Sequence, residues 1–121
     1  MPSQDVVERF VSTVVGGDFT GAIERFYVEG ASMRENLGEP RVGRDGLVTH
    51  ERAMMGAFRS ITAECIGQAA ITGDRVAIHW RFRFALQDGP TRTLEEIAWQ
   101  RWEGERIVDE IFFYDPSQMA A

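Results

Sequence analysis

The spacing of apolar residues changes once along this chain, and that change limits the folds available to it. Up to about residue 60, apolar side chains recur every three or four residues, as they do on the buried stripe of a helix. From Ile61 to Asp115 they alternate with polar side chains, as in strands with one buried face. Helices followed by strands predict an α+β fold in which the helices cover one face of an antiparallel sheet.

Capping and breaking residues divide the two halves into elements. Three helices are predicted: one between a Ser3 N-cap and Gly16-Gly17, one between Asp18 and Glu29-Gly30, and one from Asp45 to about Arg59. A short extended piece at 31–35 and a loop at 36–43 separate the last two helices. Turns at 72–74, 88–90 and 103–105 then separate four long strands. We expect a single domain over residues 1–121, with 116–121 as a loose tail.

The strand registers predict which side chains meet. If Asp88-Gly89 is a two-residue turn, Arg81 lies opposite Glu96 and His79 lies opposite Ala98. A three-residue turn at 103–105 then places Glu110 opposite Ala98. One face is thereby predicted to gather His79, Arg81, Glu96, Glu110 and Tyr114. The other face gathers Trp80, Phe82, Phe84, Ile97, Trp99, Ile111 and Phe113. Because the helices can cover only one face, we expect a pocket on the polar side and a homodimer through the apolar side.

Composition excludes several classes of function. The 13 basic side chains are all arginine, so the chain has no lysine for a Schiff base or a Walker-type phosphate loop. A formal net charge of −6 argues against a nucleic-acid partner. Cys65 is the single cysteine, which rules out an intramolecular disulfide and gives no metal-binding Cys/His set, so no metal and no cofactor are expected. We also expect no membrane span and a cytoplasmic location, because the apolar runs are short.

The order of elements and three stretches carry a family resemblance. Gly17-Asp18-Phe19, residues 29–35 and residues 105–110 are similar to the SnoaL-like group of the nuclear-transport-factor-2-like superfamily. That group includes polyketide cyclases, ketosteroid isomerases and limonene epoxide hydrolases. The resemblance implies a cone made by a strongly curved sheet of four long strands plus a short one, closed by three helices. It also implies a pocket inside the cone and a dimer on the outer sheet face.

The resemblance places some catalytic positions and removes others. Glu35 occupies the place of the general-base carboxylate of ketosteroid isomerases. The tyrosine and the neutral carboxylic acid of their oxyanion hole fall at Phe10 and Ala98, so we do not expect steroid isomerisation. The arginine and aspartate of limonene epoxide hydrolases fall at His79 and Arg81, and their aspartate on the last strand falls at Phe112, with Glu110 nearby.

These observations lead to one main hypothesis about function. The chain is predicted to be a cofactor-free general acid/base enzyme of isomerase, cyclase, dehydratase or hydrolase type that acts on a small apolar or polycyclic molecule. His79 with Glu110 would move the proton, and Glu35 would be an alternative base. Arg81, held by Glu96, would bind the ligand oxygen, and Tyr114 would lie at the pocket mouth. The predicted apolar wall consists of Phe10, Met54, Trp102 and Phe112.

Each of these residues also has a structural interpretation. His79 beside a carboxylate is compatible with a buried histidine held for stability, and Arg81 with Glu96 is compatible with a cross-strand ion pair. Glu35 would then be a solvated loop acid. The alternative function is a non-catalytic module of the same fold that binds a small ligand or a partner protein.

Overall fold

The computed structural model describes residues 1–119 and has the predicted α+β class. Its elements are α1 (Gln4–Val15), α2 (Phe19–Phe26), β1 (Tyr27–Glu35), β2 (Arg41–Val42), α3 (Arg44–Gly56), β3 (Ser60–Cys65), β4 (Ala70–Thr72), β5 (Arg75–Ala85), β6 (Thr91–Glu103), β7 (Arg106–Phe113) and a 3-10 helix (Pro116–Met119). The three helices precede strands β3 to β7, as the change of period predicts, while β1 and β2 lie between α2 and α3. No helix within residues 1–119 has the length and apolar character needed to cross a membrane.

The predicted helix caps are present at the first two helices. The Ser3 hydroxyl accepts a hydrogen bond from the Val6 amide, and the Asp18 carboxylate accepts one from the Gly21 amide. The second helix ends earlier than predicted, at Phe26, because Tyr27 takes an extended conformation and pairs with Ile107 of β7. Strand pairing therefore replaces the last predicted helical turn, and it places the Tyr27 side chain in the interior.

The strands form one mixed sheet, in the order β2-β1-β7-β6-β5-β3, with β4 pairing with β5. All pairs are antiparallel except β1 with β7, which is parallel. The short extended piece expected at 31–35 is thus a nine-residue strand beside β7. The first long strand expected after Ile61 is divided into β3 and β4, with Gly67 at a φ of 74° between them.

The predicted register of β5 against β6 is wrong by one residue. Trp80 lies opposite Glu96, while His79 and Arg81 lie opposite Ile97 and Glu95. The strands are joined by a five-residue loop at 86–90 and not by a two-residue turn at Asp88-Gly89. Because side chains alternate between faces, a one-residue slip moves every side chain of β5 to the other face relative to β6.

The register of β6 against β7 differs from the prediction by two residues, which leaves the faces unchanged. Glu103 pairs with Arg106, and an irregularity after Arg101 then brings Gln100 opposite Glu110. Glu96, Ala98 and Glu110 therefore share one face, as predicted.

The helices cover the inner face of the sheet, where the core lies. That face carries the apolar side chains of β5, including Val76, Ile78, Trp80 and Phe84, together with Ala98 and Trp102 of β6. Buried stripes of α1 and α2, which include Val6, Val7, Phe10, Ala22 and Ile23, pack against it. The outer face carries His79, Arg81, Ile97, Trp99 and Phe113.

The segment after Asp115 is more ordered than predicted. The Gln118 side chain accepts a hydrogen bond from the Glu95 amide and donates one to the Glu95 carbonyl, both at 2.9 Å. The tail predicted at 116–121 thus packs against the outer edge of β6 over 116–119, and residues 120–121 lie outside the described part of the chain.

Candidate functional site

The helices and the inner sheet face enclose a cavity of about 130 Å³. Most of its wall is apolar and aromatic, from Phe10 and Phe19 on the helices to Trp80, Phe82, Phe84 and Phe112 on the sheet. The polar side chains that line it are Tyr27, Glu35, Arg41, His50, Glu51, Glu96 and Glu110. A small apolar cavity that holds a few converging polar groups is the usual form of a ligand site.

Among the residues that the structure describes, Glu96 is the buried cavity carboxyl without a partner; Glu51, which also has none, is only half-buried. It lies in the middle of β6, is 8% exposed, and has no hydrogen-bond or ion-pair partner among residues 1–119. Burial, followed by the nearby carboxyls of Glu110, Glu35 and Glu51, raises its pKa to about 8. Glu96 is therefore mainly protonated at neutral pH, and it can give up or take back a proton close to that pH.

Glu110 is held in place by hydrogen bonds to both of its oxygens. It is 2% exposed, and it accepts a hydrogen bond from the Tyr27 hydroxyl at Oε1 and one from Gln100 Nε2, at 2.6 Å, at Oε2. The Trp102 indole N–H in turn donates to Gln100 Oε1 at 2.9 Å. Burial raises the pKa of Glu110 to about 7, and the hydrogen bonds from Gln100 and Tyr27 oppose that rise. Glu110 is thus an ordered acid at the base of the cavity.

Glu35 lies at the cavity mouth and has both a donor and a cation. It accepts a hydrogen bond from the Tyr114 hydroxyl at 3.1 Å, and Arg41 Nη1 is 3.7 Å from its second oxygen. Burial and the neighbouring Glu35 raise the pKa of Tyr114 to about 12, so that the hydroxyl stays a donor. Asn36 adopts a φ of 52° and binds the backbone of Phe112 and Tyr114, which fixes the end of β1 against β7.

Helix α3 adds Glu51 and His50, which the sequence reasoning did not assign to the site. Burial raises the pKa of Glu51, Arg41 lowers it, and Glu35 raises it. A signal for Glu51 was present in the sequence, because it follows Leu47 by four residues and precedes Met54 by three on the same helical stripe. Tyr27 was also missed, since the pattern placed it on a helix.

The structure brings most of the predicted site residues to one place. Glu35, Glu96, Glu110, Phe10, Met54 and Phe112 line the cavity, and Tyr114 holds Glu35 at its mouth. Trp102 is fully buried and contacts Phe10 at a ring-centroid distance of 6.1 Å, where it supports Gln100 beneath the site.

His79 and Arg81 do not reach the cavity, and their predicted placement on its wall is wrong. They lie on the outer face in a row of ion pairs: His79 Nε2 is 3.0 Å from Glu95 Oε1, and Arg81 Nη1 donates to Glu64 Oε1 at 3.1 Å. Arg83 donates to the same Glu64 oxygen at 2.8 Å. The error follows from the one-residue slip between β5 and β6, which also puts Glu95 and not Glu96 beside Arg81.

The geometry suits proton transfer in an apolar space. A protonated carboxyl at Glu96 and an arginine-paired carboxylate at Glu35 open onto the same cavity. Within residues 1–119, no cluster of three or more His, Cys, Asp or Glu side chains is arranged to hold a metal ion.

Solved structures with the same fold come from proteins of distant sequence. A nuclear-transport-factor-2-like protein of unknown function from Burkholderia pseudomallei K96243 aligns with a TM-score of 0.82 at 15% identity, over 97% of this chain and 95% of that one. A hypothetical protein of ketosteroid isomerase-like fold from Catenulispora acidiphila DSM 44928, in complex with trimethylamine, aligns with a TM-score of 0.78 at 16% identity, over 93% and 87%. TerC, co-crystallised with polyporic acid, aligns with a TM-score of 0.79 at 12% identity, over 95% and 92%.

The sequence itself identifies the family. No curated protein matches the chain. The sequence model of the SnoaL-like domain matches residues 7–110, from α1 to the buried acid of β7. The chain is therefore a member of the SnoaL-like family.

Proposed function

We propose that this protein is a cofactor-free general acid/base enzyme that acts on a small apolar molecule held in the cone. The observation that carries this proposal is the buried, unpartnered carboxyl of Glu96 on the wall of an otherwise apolar cavity. A carboxyl buried without a partner costs stability, and proteins retain such groups mainly where they serve a site. The reaction would belong to the isomerase, cyclase, dehydratase or hydrolase range.

Glu96 and Glu35 have complementary roles in this proposal. The Glu35 carboxylate removes a proton from a carbon next to a ligand carbonyl, and protonated Glu96 gives its proton to the carbonyl oxygen as charge develops there. The product of this step is the enol form of the ligand. Returning a proton to a different carbon would complete an isomerisation. Attack by the deprotonated carbon on a second carbonyl would complete a cyclisation.

Glu110 acts as a positioning residue. Both of its oxygens already accept hydrogen bonds, from Tyr27 and Gln100, which leaves it less free to exchange protons with a ligand. It lies on the same face as Glu96, and its charge helps to keep the pKa of Glu96 high. We assign to Glu96 the proton transfer predicted for His79, because Glu96 lines the cavity and His79 does not.

The related structures support a small-molecule ligand. One relative is described in complex with trimethylamine and another with polyporic acid. These are different molecules, so they support a small ligand in this fold without naming one for this chain.

Deuterium exchange tests the proposal without knowledge of the natural substrate. The protein is incubated in D₂O with a panel of cyclic ketones, 1,3-diketones and amino ketones, and loss of the C–H signals is followed by proton NMR. We expect exchange for at least one compound, slowed at least about 100-fold by Glu96→Gln and by Glu35→Gln. Glu64→Gln, on the outer face, is the matched control, and it should catalyse exchange in these compounds at the wild-type rate.

Two outcomes would contradict the proposal. Unchanged exchange in Glu96→Gln would remove Glu96 from the chemistry. Compounds that bind the wild-type protein without any exchange would favour the non-catalytic ligand-binding module.

We also propose that two copies pair through the outer sheet face. Ile97, Trp99 and Phe113 remain 39%, 37% and 42% exposed there, and the family resemblance implies a dimer at this face. Light scattering after size exclusion should show a dimer for the wild type and a monomer for Trp99→Glu. A monomeric wild-type protein, or a Trp99→Glu variant that stays dimeric, would argue against this interface.

A further inference from the structure

The charges around the cavity are unbalanced. Four carboxyl groups line it, those of Glu35, Glu51, Glu96 and Glu110, against the single guanidinium of Arg41 and the imidazole of His50. Arg41 is already engaged, because its Nη1 lies 3.7 Å from Glu35. Of the four acids, Glu96 is the deeply buried one without a donor or a cation beside it. The wall thus presents a buried acid that receives neither a hydrogen bond nor an ion pair from residues 1–119.

Aromatic rings continue the wall next to that acid. Trp80 lies directly opposite Glu96 in the sheet. Along β5, the ring centroids of Trp80 and Phe82 are 5.7 Å apart, and those of Phe82 and Phe84 are 6.1 Å apart. Phe19 of α2 approaches Phe82 at 6.3 Å from the helix side. Aromatic faces attract organic cations within about 6 Å of the ring centroid, most strongly where water is excluded.

We propose that the ligand of this cavity carries an organic cation, an alkylammonium or quaternary ammonium group, which is bound between the Glu96 carboxylate and the aromatic wall formed by Trp80, Phe82 and Phe84. This inference rests on the proposed use of the cavity as the ligand site, and it adds a cationic group to an otherwise apolar ligand. With such a ligand Glu96 is ionised and serves as the counter-charge, whereas proton donation by protonated Glu96 applies to neutral ligands. An ammonium group supplies the ion-pair partner that Glu96 lacks, and it favours the ionised form of this carboxyl. An anionic ligand would face the same acids with only the engaged Arg41 guanidinium and the His50 imidazole as basic groups.

The protonation of the site agrees with this assignment. Burial and the three neighbouring carboxyls raise the pKa of Glu96 to about 8. A bound cation stabilises the ionised form, so binding at neutral pH should release a proton from Glu96 and should strengthen as pH rises towards 8. The other titratable or charged groups that face the same space are Glu35, Glu51, Glu110, Arg41 and His50.

Three small molecules of closely similar shape test the charge preference. Choline carries the cation, 3,3-dimethylbutan-1-ol replaces its nitrogen by carbon, and 3,3-dimethylbutanoate carries a negative charge. Titration of the wild-type protein by calorimetry or NMR should show choline binding at least about tenfold more tightly than the alcohol, with the carboxylate weakest. Equal binding of choline and the alcohol, tighter binding of the carboxylate, or no binding of choline would each overturn the inference.

A variant and its control then assign the preference to Glu96. Glu96→Gln keeps the shape of the side chain, and it should reduce choline binding to the level of the alcohol while alcohol binding is unchanged. Glu64→Gln on the outer face should bind all three probes like the wild type. Calorimetry of the wild type in buffers of different ionisation enthalpy gives a second readout that needs no variant: proton release on choline binding supports the inference, and its absence opposes it.

The result is separable from the test of catalysis. Choline has no C–H group next to a carbonyl, so its binding reports recognition alone. Choline selectivity without deuterium exchange in any ketone would support the cation site and contradict the proposed enzyme. Exchange of ketones without choline selectivity would do the reverse.

Discussion

The two faces of the sheet place the same side chain in opposite environments. Glu64 on the outer face accepts hydrogen bonds from Arg81 and Arg83, which lower its pKa. Glu96 on the inner face has no such donor, and its pKa rises to about 8. The outer acid is ionised and solvated, whereas the inner acid holds a proton at neutral pH. The comparison shows that the location of a carboxyl, rather than its presence, decides whether it is protonated at neutral pH.

The cluster of paired charges on the outer face is thus not the candidate site. His79, Arg81, Arg83, Glu64 and Glu95 satisfy one another on the outer face, where water screens them. The inner side holds its ionisable groups in an apolar space, where each charge acts more strongly.

The largest expected effect comes from introducing a carboxylate on the inner face of the sheet. Phe84 is 6% exposed and packs against Phe58 and Phe82 on the inner side. Phe84→Glu would bury an unpaired carboxylate in this layer and should cost at least about 4 kcal/mol of the free energy of unfolding. We expect insoluble or unfolded protein, measured by circular dichroism and thermal melting.

The matched control for Phe84→Glu is Trp99→Glu, which puts the same charge on the outer face. Trp99 is 37% exposed, so this variant should keep the wild-type circular dichroism spectrum whatever its oligomeric state. A folded Phe84→Glu protein together with an unfolded Trp99→Glu protein would reverse the assignment of the two faces.

The next effect is an opposite response to pH on the two faces. The folded-state pKa of Glu96, about 8, lies above its ordinary value of about 4.3, so the folded state holds the proton more tightly between these pH values. Its contribution to stability is fully present below about pH 4.3 and is lost as pH rises towards 8. The pKa of Glu64 is lowered, so its contribution is present above the ordinary value and is lost as pH falls.

Melting curves from pH 4 to pH 9 measure this difference. Glu96→Gln should be more stable than the wild type at pH 9, by an amount on the order of several kcal/mol, and close to it at pH 4. Some loss of stability with rising pH should remain, because burial also raises the pKa values of Glu110 and Glu51. Glu64→Gln should be less stable than the wild type at neutral pH, and this difference should shrink in acid. Parallel pH profiles for the wild type and Glu96→Gln would show that Glu96 is not buried as an acid.

A third test removes the buried acid that does have partners. Glu110→Ala leaves the Tyr27 hydroxyl and the Gln100 amide without their acceptor in the core, which should lower the free energy of unfolding by about 3 kcal/mol. Tyr27→Phe removes one of these hydrogen bonds and should cost about 1 kcal/mol. Urea denaturation measures both, with Glu103→Ala, at the exposed end of β6, as the control. A loss in Glu110→Ala no larger than in Glu103→Ala would mean that the network does not stabilise the fold.

The sequence predicted the fold well because the order of helices and strands follows from the periodicity of apolar residues. The α1 stripe of Val6, Val7, Phe10 and Val14, its Ser3 cap and the alternation in the later strands are all local patterns, and each is present in the structure. The pairing of β1 with β7 was not predictable in this way. It is parallel and joins residues far apart in the chain, and no turn between them sets its register.

The candidate site was only half predictable, for a specific reason. Glu35, Glu96 and Glu110 line the cavity, as predicted. The position of Glu35 came from the resemblance. The register error between β6 and β7 is two residues, so Glu96 and Glu110 stay on the predicted face. His79 and Arg81 were misplaced because the Asp88-Gly89 pair indicated a tight turn, and the actual loop is longer. The hydrophobic pattern was the better guide: Trp80, Phe82 and Phe84 on one face of β5, with His79, Arg81 and Arg83 on the other, already favours burial of the aromatic face beneath the helices.

The smallest expected effect concerns the residue that looked most catalytic. The His79 side chain is 40% exposed, and its partner Glu95 also pairs with Arg81, so removing the imidazole leaves no buried group unsatisfied. His79→Gln should change the free energy of unfolding by less than about 0.5 kcal/mol and leave ketone deuterium exchange and choline binding at wild-type levels. Urea denaturation, NMR exchange and calorimetry on one preparation test all three. A tenfold loss of exchange in this variant, with stability intact, would return catalysis to the outer face and overturn the assignment of the site to the cone.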